Sequence, residues 1–169
     1  YLEGNIVETP EGGIWNILRL HSAPLPGNCA VVLGVTHEAG ELRQEFVRIA
    51  DFPGGMTKFT IRRDEQSGLY LTLSNNNTDP AYPSQRNVLS LHTSPNLLQW
   101  THRKTLLEDD LPLDWKESVR ATGFQYVDWQ FDRDDLVYAV RMAYDGAHNF
   151  HDANRLTFHR LKDYREIVE

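Results

Sequence analysis

The chain has a single cysteine, Cys29, so no internal disulfide can form and thiol content does not indicate a compartment. It has no apolar run near the roughly 20 residues that a membrane-spanning helix needs, so no membrane partner is expected. No segment keeps a 3.6-residue hydrophobic period for three turns, which argues against a helical fold. Only EDDLPLDWKESV (108–119) has room for a short helical turn. Positive charge is scarce as well. Lys and Arg number 17 against 24 Asp and Glu, a formal charge of −7, and no basic surface recommends nucleic acid. Position 1 is Tyr and no signal-peptide pattern follows, so any targeting segment is expected to precede the chain, which reads as a piece of something longer. What is present is an ordinary globular composition: 40% hydrophobic and 24% charged over 169 residues, enough for one domain with a core.

Internal similarity organises the chain. GGIWNILRL (12–20), SGLYLTLSN (67–75) and DDLVYAVRM (134–142) are strand-like runs that each follow an acidic or glycine turn. Each is preceded by another strand candidate, at 5–9, 58–63 and 125–131, and followed by a third, at 29–37, 87–94 and 155–161. The first two units add a fourth, at 43–52 and 99–107, whereas the third ends after its third strand. Four-stranded units of about 50 residues predict propeller blades. The expected fold is all-β, a partial β-propeller of one domain with blades at about 1–55, 56–110 and 120–169. A β-sandwich of about eleven strands is the competing fold. Three blades fall short of the four to eight that close a ring, so missing N-terminal blades or another chain are expected to complete it.

In a propeller, the start of the first strand, the end of the second and the loop from the second to the third share one face. That face collects Glu3, Lys58 and Tyr126 with Arg19, Asn75 and Arg141, and its long loops add His21, Arg86, His148, His151 and Asp152. The opposite face carries ordinary turn chemistry such as PEGG, DEQSG and DRDD. The most informative stretch is GFQYVDWQFDRDDLVYAVRMAYDGAHNFHDANRLTFHR (123–160). Its first strand alternates Tyr126, Asp128 and Gln130 with Val127, Trp129 and Phe131, one polar face and one packed face. From these residues alone, Tyr126 is either a packing aromatic or a reactive phenol. HNFHDAN (148–154) pairs histidines with an acid, which suits either a loop-ordering network, substrate recognition or a divalent metal. Because H-x-x-H in a loop lacks helical geometry, no metal and no other cofactor is assigned. NNNTDP (75–80) contains a glycosylation-type sequon at Asn76, a tripeptide common by chance.

At these residues the chain resembles the sialidase superfamily of β-propeller glycoside hydrolases. YLEGNIVETPEGGIWNILR resembles the stretch in which a glutamate opens an inner strand and an arginine closes the next. QRNVLSLHTSPNLLQWT resembles the segment that holds the last arginine of the family's triad, and GFQYVDWQFD the segment that presents its tyrosine nucleophile. The likeness runs along nearly the whole chain, as the C-terminal half of such a propeller. It is greater still to uncharacterised bacterial sialidase-like proteins with QYVDWQFD and AHNxHDANxLTFHR. The resemblance implies Tyr126 as nucleophile, Glu3 as the base that takes its proton, and Arg19 and Arg86 as ligands of a substrate carboxylate. Arg141, His148, His151, Asp152 and Asp128 fill out the substrate-binding set, with structural roles open as well: an ion pair between blades for Arg19 and, in preference to substrate binding, for Arg141, and bonding to loop backbone for Asp128. It also implies a location outside the cytoplasm, extracellular or periplasmic.

The residue types suit that chemistry. Arginines bind carboxylates through charge-assisted, often bidentate hydrogen bonds. A neutral phenol avoids the repulsion that a carboxylate nucleophile meets at an anionic sugar, and sialidases are the tyrosine exception among glycosidases. A phenol with an unperturbed pKa of about 10 needs a base beside it at neutral pH. The sequence also departs from the family. Its first arginine and its acid/base aspartate fall N-terminal to this region. The structural Asp-box, S-x-D-x-G-x-T-W, survives only as TSPNLLQWT, with Asn96 in place of aspartate and no glycine. The chain by itself is therefore expected to be an incomplete enzyme. Two other functions fit the same residues: a non-catalytic glycan-binding propeller, and a polysaccharide lyase that uses tyrosine and histidine on uronic acids. Tyr126 against Glu3 indicates the hydrolase; Tyr126 against His148 or His151 indicates the lyase.

Overall fold

A computed structural model of the chain describes residues 1–21 and 26–168. Three antiparallel sheets follow one another along the sequence. The first holds β1 (Leu2–Glu8), β2 (Ile14–Arg19), β3 (Cys29–Glu38) and β4 (Glu41–Asp51) in sequential order. The second repeats the order with β5 (Thr60–Arg63), β6 (Tyr70–Ser74), β7 (Val88–Ser94) and β8 (Thr101–Glu108). A short helix, α1 (Trp115–Ala121), leads into the third sheet of β9 (Gly123–Asp132), β10 (Asp135–Ala143) and β11 (Arg155–Leu161). A final turn of helix, α2 (Arg165–Val168), was not apparent from the sequence. The innermost strands β1, β5 and β9 contact one another in turn, so the sheets stack radially as consecutive blades of a partial β-propeller.

Strand parity decides which side chains enter the two cores between sheets. Val7, Ile17, Val32, Phe52, Phe59, Ile61 and Tyr70 fill the space between the first and second sheets. Leu71, Leu73, Leu89 and Leu91 meet Phe124, Val127, Trp129 and Val140 between the second and third. Hydrogen bonds then pin neighbouring inner strands in register. Asn5 bonds both the Phe59 carbonyl and the Ile61 N–H, each at 3.2 Å. Trp129 Nε1 donates to the Thr60 carbonyl at 3.0 Å, and Arg62 Nε returns a bond to the Trp129 carbonyl at 2.7 Å.

Two turns explain departures from the expected motifs. In TSPNLLQW, Asn96 Oδ1 accepts the N–H groups of Leu98 (3.1 Å) and Gln99 (2.9 Å). An amide oxygen does this as well as a carboxylate, so the turn survives without its aspartate. Leu97, which follows Asn96, takes the left-handed conformation (φ 66°), and its side chain is buried between the sheets. The expected helical turn also forms, a few residues late, with Asp114 accepting the Glu117 N–H at 2.8 Å as its N-cap.

Candidate functional site

The entries of β1 and β9 share one unusual construction. In β1, Leu2 faces Arg19 and Asn5 faces Ile17, so Glu3 and Gly4 together oppose a single residue. In β9, Gln125 faces Arg141 and Asp128 faces Ala139, so Tyr126 and Val127 together oppose a single residue. Each is a β-bulge whose first residue is left-handed, φ 52° at Glu3 and 49° at Tyr126. Glycine is the residue that adopts this conformation freely, and a non-glycine residue held there costs of order 1–3 kcal/mol. Two such residues at matching positions, each beside an arginine, mark the same edge of the blades.

Arg19 and Glu3 form an ion pair, Nη1 to Oε2 at 2.8 Å, while Arg19 Nε donates to the Met56 carbonyl at 2.7 Å. Arg141 behaves differently. Its guanidinium lies over the Tyr126 ring, 5.3 Å from the centroid, and donates to the His151 carbonyl at 2.9 Å. The inter-blade ion pair that is one expectation for Arg141 does not form among the described residues. Arg19, by contrast, forms its ion pair within its own blade. The His151 ring stands edge-on to Tyr126, centroids 6.5 Å apart.

Arg86 lies at the centre of the group. It is 6% exposed, and its Nη1 donates to Gln125 Oε1 at 2.7 Å. The Phe150 ring covers its guanidinium at 5.3 Å, and its Nε has no hydrogen-bond partner among the described residues. Burial lowers its pKa from the ordinary arginine value, and the neighbouring Arg19 cation adds to the effect. Arg141 also lowers it, while Tyr126 and Glu3 raise it, so the charges of this face act on Arg86 through space. No carboxylate among the described residues bonds Arg86 directly. A buried guanidinium without a counter-ion is costly, and arginine stays protonated rather than discharge.

The remaining candidates lie further out. Asp128 is exposed and accepts from its neighbour Trp129 N–H (3.0 Å) and from Arg62 (3.3 Å) on the adjacent blade. His148 Nδ1 and Asp152 Oδ2 are 2.8 Å apart in the loop before β11, and Asn149 Nδ2 donates to the same carboxylate oxygen at 2.8 Å. The His148 interaction holds the Asp152 carboxyl below the usual carboxylate range. These bonds tie the loop to itself, and no group of three His, Cys, Asp or Glu side chains is gathered as a metal site among the described residues. Asn75, on the same face, spends its amide on the carbonyls of Arg86, Val88 and Phe124 and so serves the backbone. His21 is exposed.

Gln125 and Phe150 were missed by sequence reasoning. Gln125 is 1% exposed and links Arg86 to the Phe150 carbonyl, to which its Nε2 donates. Gly123 permits that approach, because a Cβ there would lie 2.2 Å from the same carbonyl oxygen. Position 125, beside Tyr126 on the strand, is the one available signal. Nothing in the local sequence marks Phe150.

No family model matches the chain, and no curated protein matches it. Solved structures do share its fold. An α-L-arabinofuranosidase of family GH93 from Fusarium graminearum, in complex with arabinobiose, superposes with a TM-score of 0.56 at 12% identity. That match covers 96% of this chain and 45% of the other. The α-L-arabinofuranosidase from the same organism with an iminosugar inhibitor gives 0.55 at 11% identity, covering 96% and 48%. An N-acetylgalactosamine deacetylase from F. plautii, in complex with blood group B trisaccharide, gives 0.52 at 12%, covering 95% and 50%. At such identities the likeness shows the fold. The chain spans about half the length of each of these structures.

Proposed function

We propose that the protein is a sialidase-like retaining exo-glycosidase that removes a terminal acidic sugar from a glycan. The supporting observation is Arg86, buried, aimed into a cluster with Arg19 and Arg141, and lacking a bonded carboxylate among the described residues. A substrate carboxylate is the group that would satisfy it. The fold is shared with an arabinofuranosidase and a sugar deacetylase, which favours a glycan as the ligand. In this reading Arg86 and Arg141 hold the carboxylate, and Arg19 fixes the position of Glu3. The Tyr126 oxygen bonds to the anomeric carbon as the glycosidic C–O bond breaks. Its proton passes to Glu3, and the leaving oxygen takes a proton from a general acid on the N-terminal blades that the resemblance implies. Water then cleaves the tyrosyl–sugar bond, and the anomeric configuration is retained. The remaining blades, from the same polypeptide or another chain, close the ring, and a location outside the cytoplasm suits the substrate.

A second reading has its own support. Glu3 bonds Arg19, no hydrogen bond joins it to the Tyr126 hydroxyl among the described residues, and His151 is the imidazole beside Tyr126. That geometry suits a lyase, in which one group abstracts the proton next to a uronic-acid carboxylate, the glycosidic C–O bond breaks as its oxygen takes a proton from the other, and a carbon–carbon double bond remains. One experiment separates the two. The protein is incubated with aryl sialosides and with uronic-acid oligosaccharides, and free sugar and the ultraviolet absorbance of unsaturated uronate are followed. Hydrolysis of the sialoside that falls about 10²–10⁴-fold in Glu3→Gln and survives in His151→Ala supports the glycosidase. Absorbance that appears with the uronates and disappears in His151→Ala supports the lyase.

A further inference from the structure

We propose that a cavity between the first and second sheets, away from the arginine cluster, binds a neutral, hydroxyl-rich ligand about the size of one sugar ring. The cavity measures about 290 Å³ and is lined chiefly by Asp51, Phe52, Asn76, His92, Trp100 and His102. That volume is at the small end of ligand sites.

His92 forms its floor. It is 3% exposed, yet its Nδ1 has no hydrogen-bond partner among the described residues. It does not stand alone. Thr72 faces His92 across the β6–β7 ladder and Ser74 faces Ser90, and all four project from one face of the second sheet. The hydroxyls of Thr72, Ser74 and Ser90 also lack partners among the described residues. Their neighbours Leu71, Leu73, Leu89 and Leu91 alternate into the opposite core. Of this strip only His92 lines the cavity, so its Nδ1 is the buried polar atom that a hydroxyl of an occupant would satisfy.

The walls specify the chemistry of the occupant. Phe52 and Trp100 pack edge to face at 4.9 Å and give an apolar side against which the C–H face of a ring can lie. The Asn76 amide makes no hydrogen bond among the described residues and is available at the rim. Among the described residues no Lys or Arg lines the space, and Asp51 is its one carboxylate. Burial pushes the His92 imidazole down to about 3, so it is neutral and adds no positive charge. Anions are therefore disfavoured here, in contrast to the arginine cluster. This inference does not rest on the hydrolase reading and survives its failure.

The test is a titration of isotopically labelled protein, following the imidazole signals of His92 and His102 and the indole N–H of Trp100. The probes are galactose, N-acetylgalactosamine and arabinose, with glucuronate as the anionic control. The expected result is a saturable shift of the His92 and Trp100 signals with at least one neutral sugar and none with glucuronate. Asn76→Ala and Trp100→Phe lie at the rim and spare the buried strip; each is expected to weaken that binding about tenfold. The proposal is overturned if no neutral sugar shifts these signals, if glucuronate shifts them equally, or if both rim variants bind as tightly as the wild type.

Discussion

The first and third blades build the same bulge at the same place and put different side chains on it. Glu3 follows the residue that faces Arg19, and Tyr126 follows the residue that faces Arg141; both are left-handed. In the first blade a carboxylate neutralises the arginine at 2.8 Å. In the third, a phenol ring lies under the arginine and leaves its charge unmatched. The middle blade has Lys58 and Asn75 instead, and Asn75 is consumed by three backbone carbonyls. One scaffold device thus gives opposite electrostatics at its two ends. Among the described residues, the positive charge without an acid partner, on Arg86 and Arg141, gathers at the Tyr126 side.

The most severe way to break this comparison is to write the first blade into the third. Tyr126→Glu keeps a side chain that tolerates the bulge in this very fold, and supplies Arg141 with a carboxylate. Turnover of an acidic glycan is expected to fall at least about a thousandfold, since the proposed nucleophile is gone. Anion binding should fall with it, because the introduced carboxylate competes for the cations. Binding that survives at wild-type strength would mean that Arg141 plays no part in holding the anion.

The next largest effect concerns Arg86. Arg86→Met removes a buried charge that has no acid partner among the described residues and keeps most of the apolar volume. Binding of a sugar carboxylate should weaken about a hundredfold, the worth of a charge-assisted hydrogen bond or two. Folding stability should change by no more than about 1–2 kcal/mol, because loss of the uncompensated buried charge offsets the cost of leaving Gln125 Oε1 without its donor. Calorimetry with denaturant titration reads both quantities. Strong destabilisation would identify Arg86 as a structural cation.

Much of the fold was legible, and the reason is local. Period-two alternation and turns such as DEQSG and DRDD place most strands near where alternation starts and stops, because a half-buried strand must alternate. The start of β1 was less clear, since Leu2 and Gly4 flank the bulge and break the pattern. The bulges themselves have no sequence signature: Glu3 and Tyr126 occupy a conformation for which glycine would be the usual sign. The grouping of charges around Arg86 is a property of blade stacking, so no spacing reveals it; the family resemblance names Arg86 only as one of two arginines for a substrate carboxylate. Gln125 and Phe150 escaped notice for the same reason. They act on Arg86 from another blade and from a loop, and alternation does not report on either.

A sharper contrast sets Arg86 against His92, two buried bases that make no ion pair with an acid among the described residues. Arginine remains charged when buried, whereas histidine discharges, and burial together with nearby His102 brings His92 down to about 3. The sign of the pH effect follows. Unfolded His92 has a pKa near 6.5 and takes up a proton that the folded state excludes. Its contribution to stability is therefore complete above about pH 6.5 and is lost as pH falls from there toward about 3. Between about pH 6.5 and 5, where most carboxylates are still ionised, the loss should approach about 2 kcal/mol. Urea melts of wild type and His92→Gln across that range should diverge by this amount, and parallel curves would refute a discharged His92.

The smallest effect isolates the bulge. Tyr126→Gly removes the proposed nucleophile and the ring under Arg141, but it also relieves the left-handed strain of about 1–3 kcal/mol. The lost terms are a half-buried aromatic and one cation–π contact, worth about 0.5–1 kcal/mol when exposed. These oppose each other, so stability should change by less than about 1 kcal/mol while activity disappears. In an ordinary strand the same substitution would cost packing and add backbone entropy, with nothing to offset them. A stability change near zero therefore says that the fold holds Tyr126 in this conformation for its hydroxyl. A loss of several kcal/mol would assign the tyrosine to packing and leave Glu3 as the sole bulge residue with a chemical role.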